Sequence, residues 1–335
     1  MERHPAARVG HGRTWAKTIL IGEHSVVYGH AAVAFPLHDL KMRASVTPID
    51  GPSTLRSLDY DGPLSGAGPR FAPVVRAFEA AREFTGGLDQ CFAIETFSDF
   101  PHERGLGSSA ASAGAIIRAV LDAYDREATD TEVLALTNLA EQVAHVRPSG
   151  LDAATTTSDL PIRFQSGEMR ALSQHVGGTL VIADSGIHGS TRDAVAELRA
   201  RYEAAPDTIG PRINRLGELT QVAIDALDAG DAAALGAAMD DAHDVLAELG
   251  ISVPVLDGLT QAARDAGALG AKLSGGGLGG WFLSEVCRIA WNVSGCRRVW
   301  LHTCDDDSPA AIPNYLARGF VEYARAGTGC YACTA

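Results

Sequence analysis

Three glycines and three serines crowd the start of an apolar stretch in "RGLGSSAASAGAIIRAV", residues 104–120. Glycines let backbone N–H groups turn inward with no Cβ in the way, and a helix amino end adds partial positive charge. Such a turn fits either a phosphate cradle or an ordinary capped helix, with Ser108 and Ser109 as candidate caps. A hydroxyl placed there also suits a divalent cation held beside a phosphate. No G-K-[ST] follows and the dinucleotide pattern G-x-G-x-x-G is absent, so neither of those phosphate loops is present.

Three further stretches carry ionisable or glycine-rich chemistry. "KTILIGEHSVVYG" sets Lys17 at the start of an apolar strand and Glu23 and His24 in the turn behind it, which suits a polar pocket or a charged surface turn. "AEQVAHVRPSGLDAATTT" places Glu141 on a helix and Asp152 in a loop with Ser149 and Gly150. Those carboxylates suit a metal ligand and a base, or a surface glutamate and a helix cap. "KLSGGGLGGWF" has five glycines in the six residues after Ser274, a loop for close backbone approach or simply a flexible turn.

The elements that must position these residues follow from periodicity. Helical spacing appears over 74–84, from the glycine stretch to about Tyr124, over roughly 131–145, and four times between about 190 and 266. Strand patterns appear in "WAKTILI", "KMRASVTPI", "CFAIETFS" and "GTLVIADSG", "AKLSGGGLGGWFL" reads as Gly-rich loop and strand, and "IRFQSGEMRAL" reads as a hairpin. The Gly/Pro/Ser-rich piece from Asp50 to Pro73 reads as loops. Alternating strands and helices in two blocks imply an α/β or α+β chain of two lobes.

Composition bounds the rest. The chain has 335 residues, 46% hydrophobic and 21% charged, ordinary values for a soluble globular protein. A net charge of −13 argues against nucleic acid or an anionic membrane as the main partner, while leaving room for a small anion held by local positive groups. No early run of about 18 apolar residues predicts a membrane span, and no h-region predicts a leader, so a cytoplasmic setting is expected. Five of six cysteines lie in the last fifty residues. The C-x-x-C at 330–333 has no matching second pair, which makes it weak evidence for zinc.

The order and spacing of the four stretches, together with "LVIADSGIHGSTRDAV", resemble the GHMP kinase superfamily over about residues 13–283, and within it the mevalonate kinases, whose G-E-H-x-V-V-Y-G form is matched. The resemblance implies an α+β two-lobe GHMP kinase fold. A ribosomal protein S5 domain 2-like amino-terminal lobe would span 1–170, and a ferredoxin-like α+β carboxy-terminal lobe 171–335. It implies ATP-dependent phosphorylation of the C5 hydroxyl of (R)-mevalonate, with ATP and Mg²⁺ required and a homodimer left open. Asp152 matches the base and Lys17 its cationic partner. Arg104, Gly105, Leu106, Gly107, Ser108, Ser109 and Ala110, with Gly275 and Gly276, match the ATP-binding positions. Glu23, His24, Ser149, Gly150, Thr191 and Arg192 match substrate-binding positions, Ser190 lies beside the last two, and Ser109 and Glu141 match the metal ligands. Two positions depart from the pattern: Glu103 stands where a glycine is common, and Trp281 where a small residue is expected. The tail is atypical from about 285 to 335, and from "RRVWLHTCDDDSPAAIPNYLARGFVEY" onward it resembles the end of a GNAT acetyltransferase without its R-x-x-G-x-G loop, so no acetyl transfer is implied.

Overall fold

A computed structural model describes residues 7–100, 102, 105–144, 149–173, 175–177, 180–184, 191–278, 281–284, 300–304, 321–325 and 330–334. The chain divides into two units, one formed by 1–174 with 205–224 and the other by 175–204 with 225–335.

The first unit is built on two long antiparallel strands, β1 (Gly10–Ile21) and β2 (Ala32–Ile49), joined through a short 3₁₀ turn at Ser25–Tyr28. From Thr14 onward every residue of β1 is buried, because helices cover it as well as its partner strand. A strand covered in this way reads as a continuous apolar run rather than an alternating one. Lys17 therefore lies in the middle of a buried strand, not at its start. The Asp50–Pro73 region, expected as loops, contains a hairpin of β3 (Thr54–Ser57) and β4 (Tyr60–Pro63). Only Leu55 and Ser57 of β3 are buried, so little apolar patterning betrays it.

Helix α1 (Ala72–Thr85), strand β5 (Cys91–Ser98), helices α2 (Ser108–Ala123), α3 (Asp130–Ala144) and α4 (Leu151–Thr157), and the hairpin β6 (Ile162–Gln165)–β7 (Glu168–Ala171) complete it. The sheet runs β4-β3-β5-β2-β6-β7, with β1 paired to β2. Helix α2 is rich in alanine and buried almost all round, and it packs on β1. Close approach depends on Gly12, where an added Cβ would stand 1.9 Å from the Ala115 carbonyl oxygen.

The second unit contains β8 (Val181–Asp184), α5 (Thr191–Ala204), the later part of α6 (Pro206–Ala229), α7 (Ala232–Glu248), α8 (Pro254–Asp265), β9 (Ala271–Ser274) and β10 (Trp281–Ser284). These four helices fill the region where four helical patterns are expected. Strands order β8-β10-β9, all antiparallel. The Asp231 side chain caps α7 by accepting from the Ala234 N–H at 2.9 Å. Of the tail, β11 (Trp300–Cys304), β12 (Val321–Arg325) and β13 (Cys330–Thr334) form a three-stranded antiparallel sheet ordered β11-β13-β12. Most of the stretch from Arg297 to Tyr323, on which the acetyltransferase-like reading rests, lies outside the described residues.

Candidate active site

The buried strand β1 delivers a lysine into an otherwise apolar place. Lys17 lies opposite Pro36 of β2. The Lys17 N–H points away from β2 and donates to the Leu106 carbonyl at 3.0 Å, tethering the glycine turn to the strand. Leu106 is buried, while Gly105 and Gly107 on either side take positive φ of 81° and 74°. A Cβ at Gly107 would stand 2.9 Å from Lys17 Cγ and 3.0 Å from Thr156 Cγ2. Any other residue there would be strained in both backbone and space.

Gly107 also takes the N-cap position of α2 and, having no side chain, makes no cap hydrogen bond of its own. Ser108 and Ser109 were candidate caps, but both lie inside the first turn. The Ser109 hydroxyl donates to Glu141 Oε1 at 2.7 Å, across 32 residues of sequence. The first-turn N–H groups of a helix lack intrahelical acceptors, so this end retains its attraction for anions.

Glu141, on α3, is buried. Burial pushes its carboxyl up to about 7, helped by the nearby Asp152 charge and opposed by the Ser109 hydrogen bond and the Lys17 ammonium. Lys17 Nζ meets Asp152 Oδ1 at 2.9 Å; the lysine side chain is 5% exposed and the aspartate 43%. One partner is thus fixed in the protein and the other is reachable from solvent.

Asp152 sits in the first turn of α4, rather than in a loop, where the helix dipole favours a carboxylate. Gly150, at φ 86°, takes the N-cap position, and Ser149 Oγ accepts from the Leu151 N–H at 3.3 Å. Three consecutive threonines close α4 by bonding back to its carbonyls: Thr155 to Leu151, Thr156 to Asp152 and Thr157 to Ala153.

The first unit therefore brings Lys17, Gly105–Ala110, Glu141, Ser149, Gly150 and Asp152 together through these bonds and elements. Glu23 and His24 lie at the end of β1, both buried, with His24 at φ 58°. A positive φ at a non-glycine residue is a conformation that clusters at functional sites. The second unit separately joins Gly276 to Thr191, where a Cβ on the glycine would meet Thr191 Oγ1 at 2.5 Å. Arg192 follows on α5. Glu103, Arg104 and Ser190 lie outside the described residues, and of Trp281 only the backbone position in β10 is described.

A cavity of about 80 Å³ opens beside the start of α2, lined by Ser108, Ser109 and Ser112 and by Arg70, Phe71 and His102, with Ser57 and Leu58 of the β3–β4 hairpin at its edge. Ser57, Arg70 and His102 line this cavity and are not among the residues singled out in the sequence.

Comparison with known proteins bears on what this arrangement serves. The family description "GHMP kinases N terminal domain" matches residues 72–159, and "GHMP kinases C terminal" matches residues 223–285. The mevalonate kinase of Pyrococcus abyssi is 32% identical over 290 residues, covering 79% of this chain and 85% of that protein. The chain belongs to the GHMP kinases. A GHMP kinase is an ATP-dependent small-molecule kinase, and the α+β fold described above is that of the family. The solved mevalonate kinase of methicillin-resistant Staphylococcus aureus is 30% identical, with a TM-score of 0.61 over 83% of this chain and 90% of that one. The Leishmania major mevalonate kinase, solved in complex with R-mevalonate, is 22% identical; its TM-score of 0.71 covers 100% of this chain and 98% of that one, and speaks to fold alone.

The residues present suit a nucleotide phosphate and the divalent cation expected from the sequence. Gly107 packs against Lys17 and Thr156 with no room for a Cβ and brings no side chain to the start of α2. Ser109 and Glu141 offer one neutral and one anionic oxygen at hydrogen-bond separation, the hard donors that a small divalent cation takes alongside phosphate oxygens.

Proposed function

We propose that this GHMP kinase phosphorylates the C5 hydroxyl of (R)-mevalonate with MgATP, giving 5-phosphomevalonate and ADP. The observation that carries the reading is the Lys17–Asp152 pair, 2.9 Å apart and tethered to the glycine turn through the Lys17 N–H and the Gly107 contact. The choice of mevalonate rests on the relatives named above and on the G-E-H-x-V-V-Y-G stretch at residues 22–29.

Phosphoryl transfer asks the protein for alignment and charge cancellation rather than covalent chemistry. Arg104, Gly105, Leu106, Gly107, Ser108, Ser109 and Ala110 are assigned to the ATP phosphates, and Gly275 and Gly276 are likewise read as ATP-binding residues. Asp152 accepts the proton of the C5 hydroxyl as the oxygen bonds to the γ-phosphorus and the bridging bond to the ADP oxygen breaks. Lys17, paired with Asp152, steadies negative charge developing on the attacking oxygen. Glu23, His24, Ser149, Gly150, Thr191 and Arg192 bind the acceptor, Arg192 at its carboxylate. Ser109 and Glu141 hold Mg²⁺, which when bound offsets charge on the phosphate oxygens. The cytoplasmic setting expected from the sequence belongs to the same proposal. No described helix is long and apolar enough to cross a membrane.

The test is ADP release by the full chain against a panel of alcohols: (R)-mevalonate, 5-phosphomevalonate, galactose and a water-only control. Turnover is expected with (R)-mevalonate at a kcat/KM at least about 100-fold above the others, within the usual range for enzymes of about 10⁴–10⁸ M⁻¹s⁻¹. Turnover confined to phosphomevalonate or galactose would reassign the acceptor. ADP release only at the water-control rate would remove the kinase reading.

A further inference from the structure

Strand β9 is the outer strand of the sheet β8-β10-β9, and it runs directly into Gly275–Gly277. An edge strand presents a row of N–H groups with no strand partner. Here two of them, at alternate residues of β9, are taken by side chains of α7. The Ala271 N–H donates to Asp240 Oδ1 at 2.8 Å, and the Leu273 N–H donates to His243 Nδ1 at 3.2 Å. Asp240 and His243 are three apart on one helix and therefore share a face. Each is backed by α8: Arg264 Nε donates to Asp240 Oδ1 at 2.7 Å, and Asp257 Oδ1 lies 3.2 Å from His243 Nε2. Because Nδ1 accepts from a backbone amide, the ring proton sits on Nε2 and is donated to Asp257.

The second tether continues toward the same glycines. Ser252 Oγ also donates to Asp257 Oδ1, and the neighbouring Ile251 carbonyl accepts from the Leu278 N–H at 2.8 Å. Gly276, between the two tethers, lies against Thr191 at the start of α5. One buried imidazole thus contacts the strand that enters the glycine loop, at Leu273, and is linked to the loop's exit indirectly, through Asp257 and Ser252 to the neighbouring Ile251.

We propose that His243 is a positioning residue that sets the Gly275–Gly277 loop through the Leu273 amide and the Asp257–Ser252 contact. Its bearing on nucleotide rests on the reading of Gly275 and Gly276 as ATP-binding residues. His243 is 3% exposed. The charged groups facing it are Lys272 from β9 and Asp257 and Arg264 from α8, with Asp240 and Asp244 on its own helix held by Arg264. Burial, followed by the Lys272 ammonium, holds the ring below the usual imidazole range, against the opposing pull of Asp257. The ring is therefore neutral at pH 7, as the Leu273 bond requires. Acidification puts a proton on Nδ1 and ends that bond.

Two variants separate the tethers in the full chain. His243→Asn keeps an acceptor near the Nδ1 position and cannot titrate; His243→Gln keeps a donor near Nε2 and gives up the acceptor. At pH 7.5, amide hydrogen exchange at Leu273 is expected to accelerate about tenfold or more in His243→Gln and to stay within about threefold of wild type in His243→Asn; exchange at Leu278 is expected to accelerate in His243→Asn, which has no donor for Asp257, and to stay near wild type in His243→Gln. Wild type is expected to lose the Leu273 protection on acidification, relative to intrinsic exchange, while His243→Asn does not. Calorimetry with a non-hydrolysable MgATP analogue is expected to show about tenfold weaker binding for both variants. Unchanged exchange at Leu273 in His243→Gln and at Leu278 in His243→Asn, or equal acid sensitivity at Leu273 in wild type and His243→Asn, would overturn the positioning role. Altered exchange with unaltered nucleotide affinity in all three proteins would leave the tether in place and overturn only the assignment of the loop to nucleotide.

Discussion

Asp152→Asn is expected to lower kcat with (R)-mevalonate by about 10³-fold, within the usual range for loss of a general base. The Kd for a non-hydrolysable MgATP analogue is expected to stay within about threefold of wild type. The amide matches the carboxylate in shape and can still face Lys17 Nζ, now 2.9 Å from Asp152 Oδ1, but it cannot accept the hydroxyl proton. Lys17 is nearly buried and loses its counterion, whereas Asp152 is 43% exposed, so water screens much of the pair. The stability cost is therefore expected to be about 1 kcal/mol or less by thermal unfolding. Near wild-type kcat in this variant would show that Asp152 is neither base nor essential orienting group, and the proton would need another acceptor.

Glu141→Gln is expected to move activity and stability in opposite directions. Without metal, the folded chain holds the Glu141 carboxyl at about 7, against an ordinary value of 4.5. Between those values the folded state keeps a proton that the unfolded state has released, so stability from this group falls as pH rises and reaches its full cost above 7. Glutamine cannot ionise and still accepts from the Ser109 hydroxyl. In chelator, the variant is expected to gain on wild type from under about 1 kcal/mol near pH 4.5 to on the order of 3 kcal/mol at pH 8. The same change removes the anionic oxygen proposed for Mg²⁺, and kcat/KM for MgATP is expected to fall by about 100-fold. A stability difference independent of pH would show that the buried carboxyl does not titrate as described. Unchanged activity would remove Glu141 from the cation site.

The residues that converge at the site were mostly legible one at a time, and their contacts were not. Lys17, Gly105, Gly107, Ser109, Glu141 and Asp152 stand out by type and by the order of the stretches that carry them. The Ser109–Glu141 bond crosses from one helix to another, and no local pattern encodes it. Local reasoning instead sent Ser109 to the helix cap, a place that Gly107 takes because its left-handed backbone lets the turn close against Lys17.

Two other misreadings share a physical origin. "TTT" at 155–157 has poor helix propensity, which masks α4. Buried in the fold, each hydroxyl finds a carbonyl of its own helix, and the propensity cost is overridden. Pro36 obscured the first half of β2, although the strand tolerates it opposite Lys17, whose N–H is committed to the turn rather than to the ladder. By contrast, α1, α2, α3 and the four helices of residues 191–265 were legible because each carries a sustained apolar period. The grip of α7 on β9 left no trace in the sequence: Asp240 and His243 look like polar members of an ordinary helix until the strand edge they satisfy is seen.

A crystal structure of the chain with (R)-mevalonate and a non-hydrolysable MgATP analogue is the most direct measurement. It is expected to place the C5 hydroxyl oxygen within about 3.2 Å of an Asp152 carboxylate oxygen and within hydrogen-bond reach of Lys17 Nζ, with the γ-phosphate on the amides that open α2. A hydroxyl bound away from that pair, or phosphates lying elsewhere than at the start of α2, would contradict it.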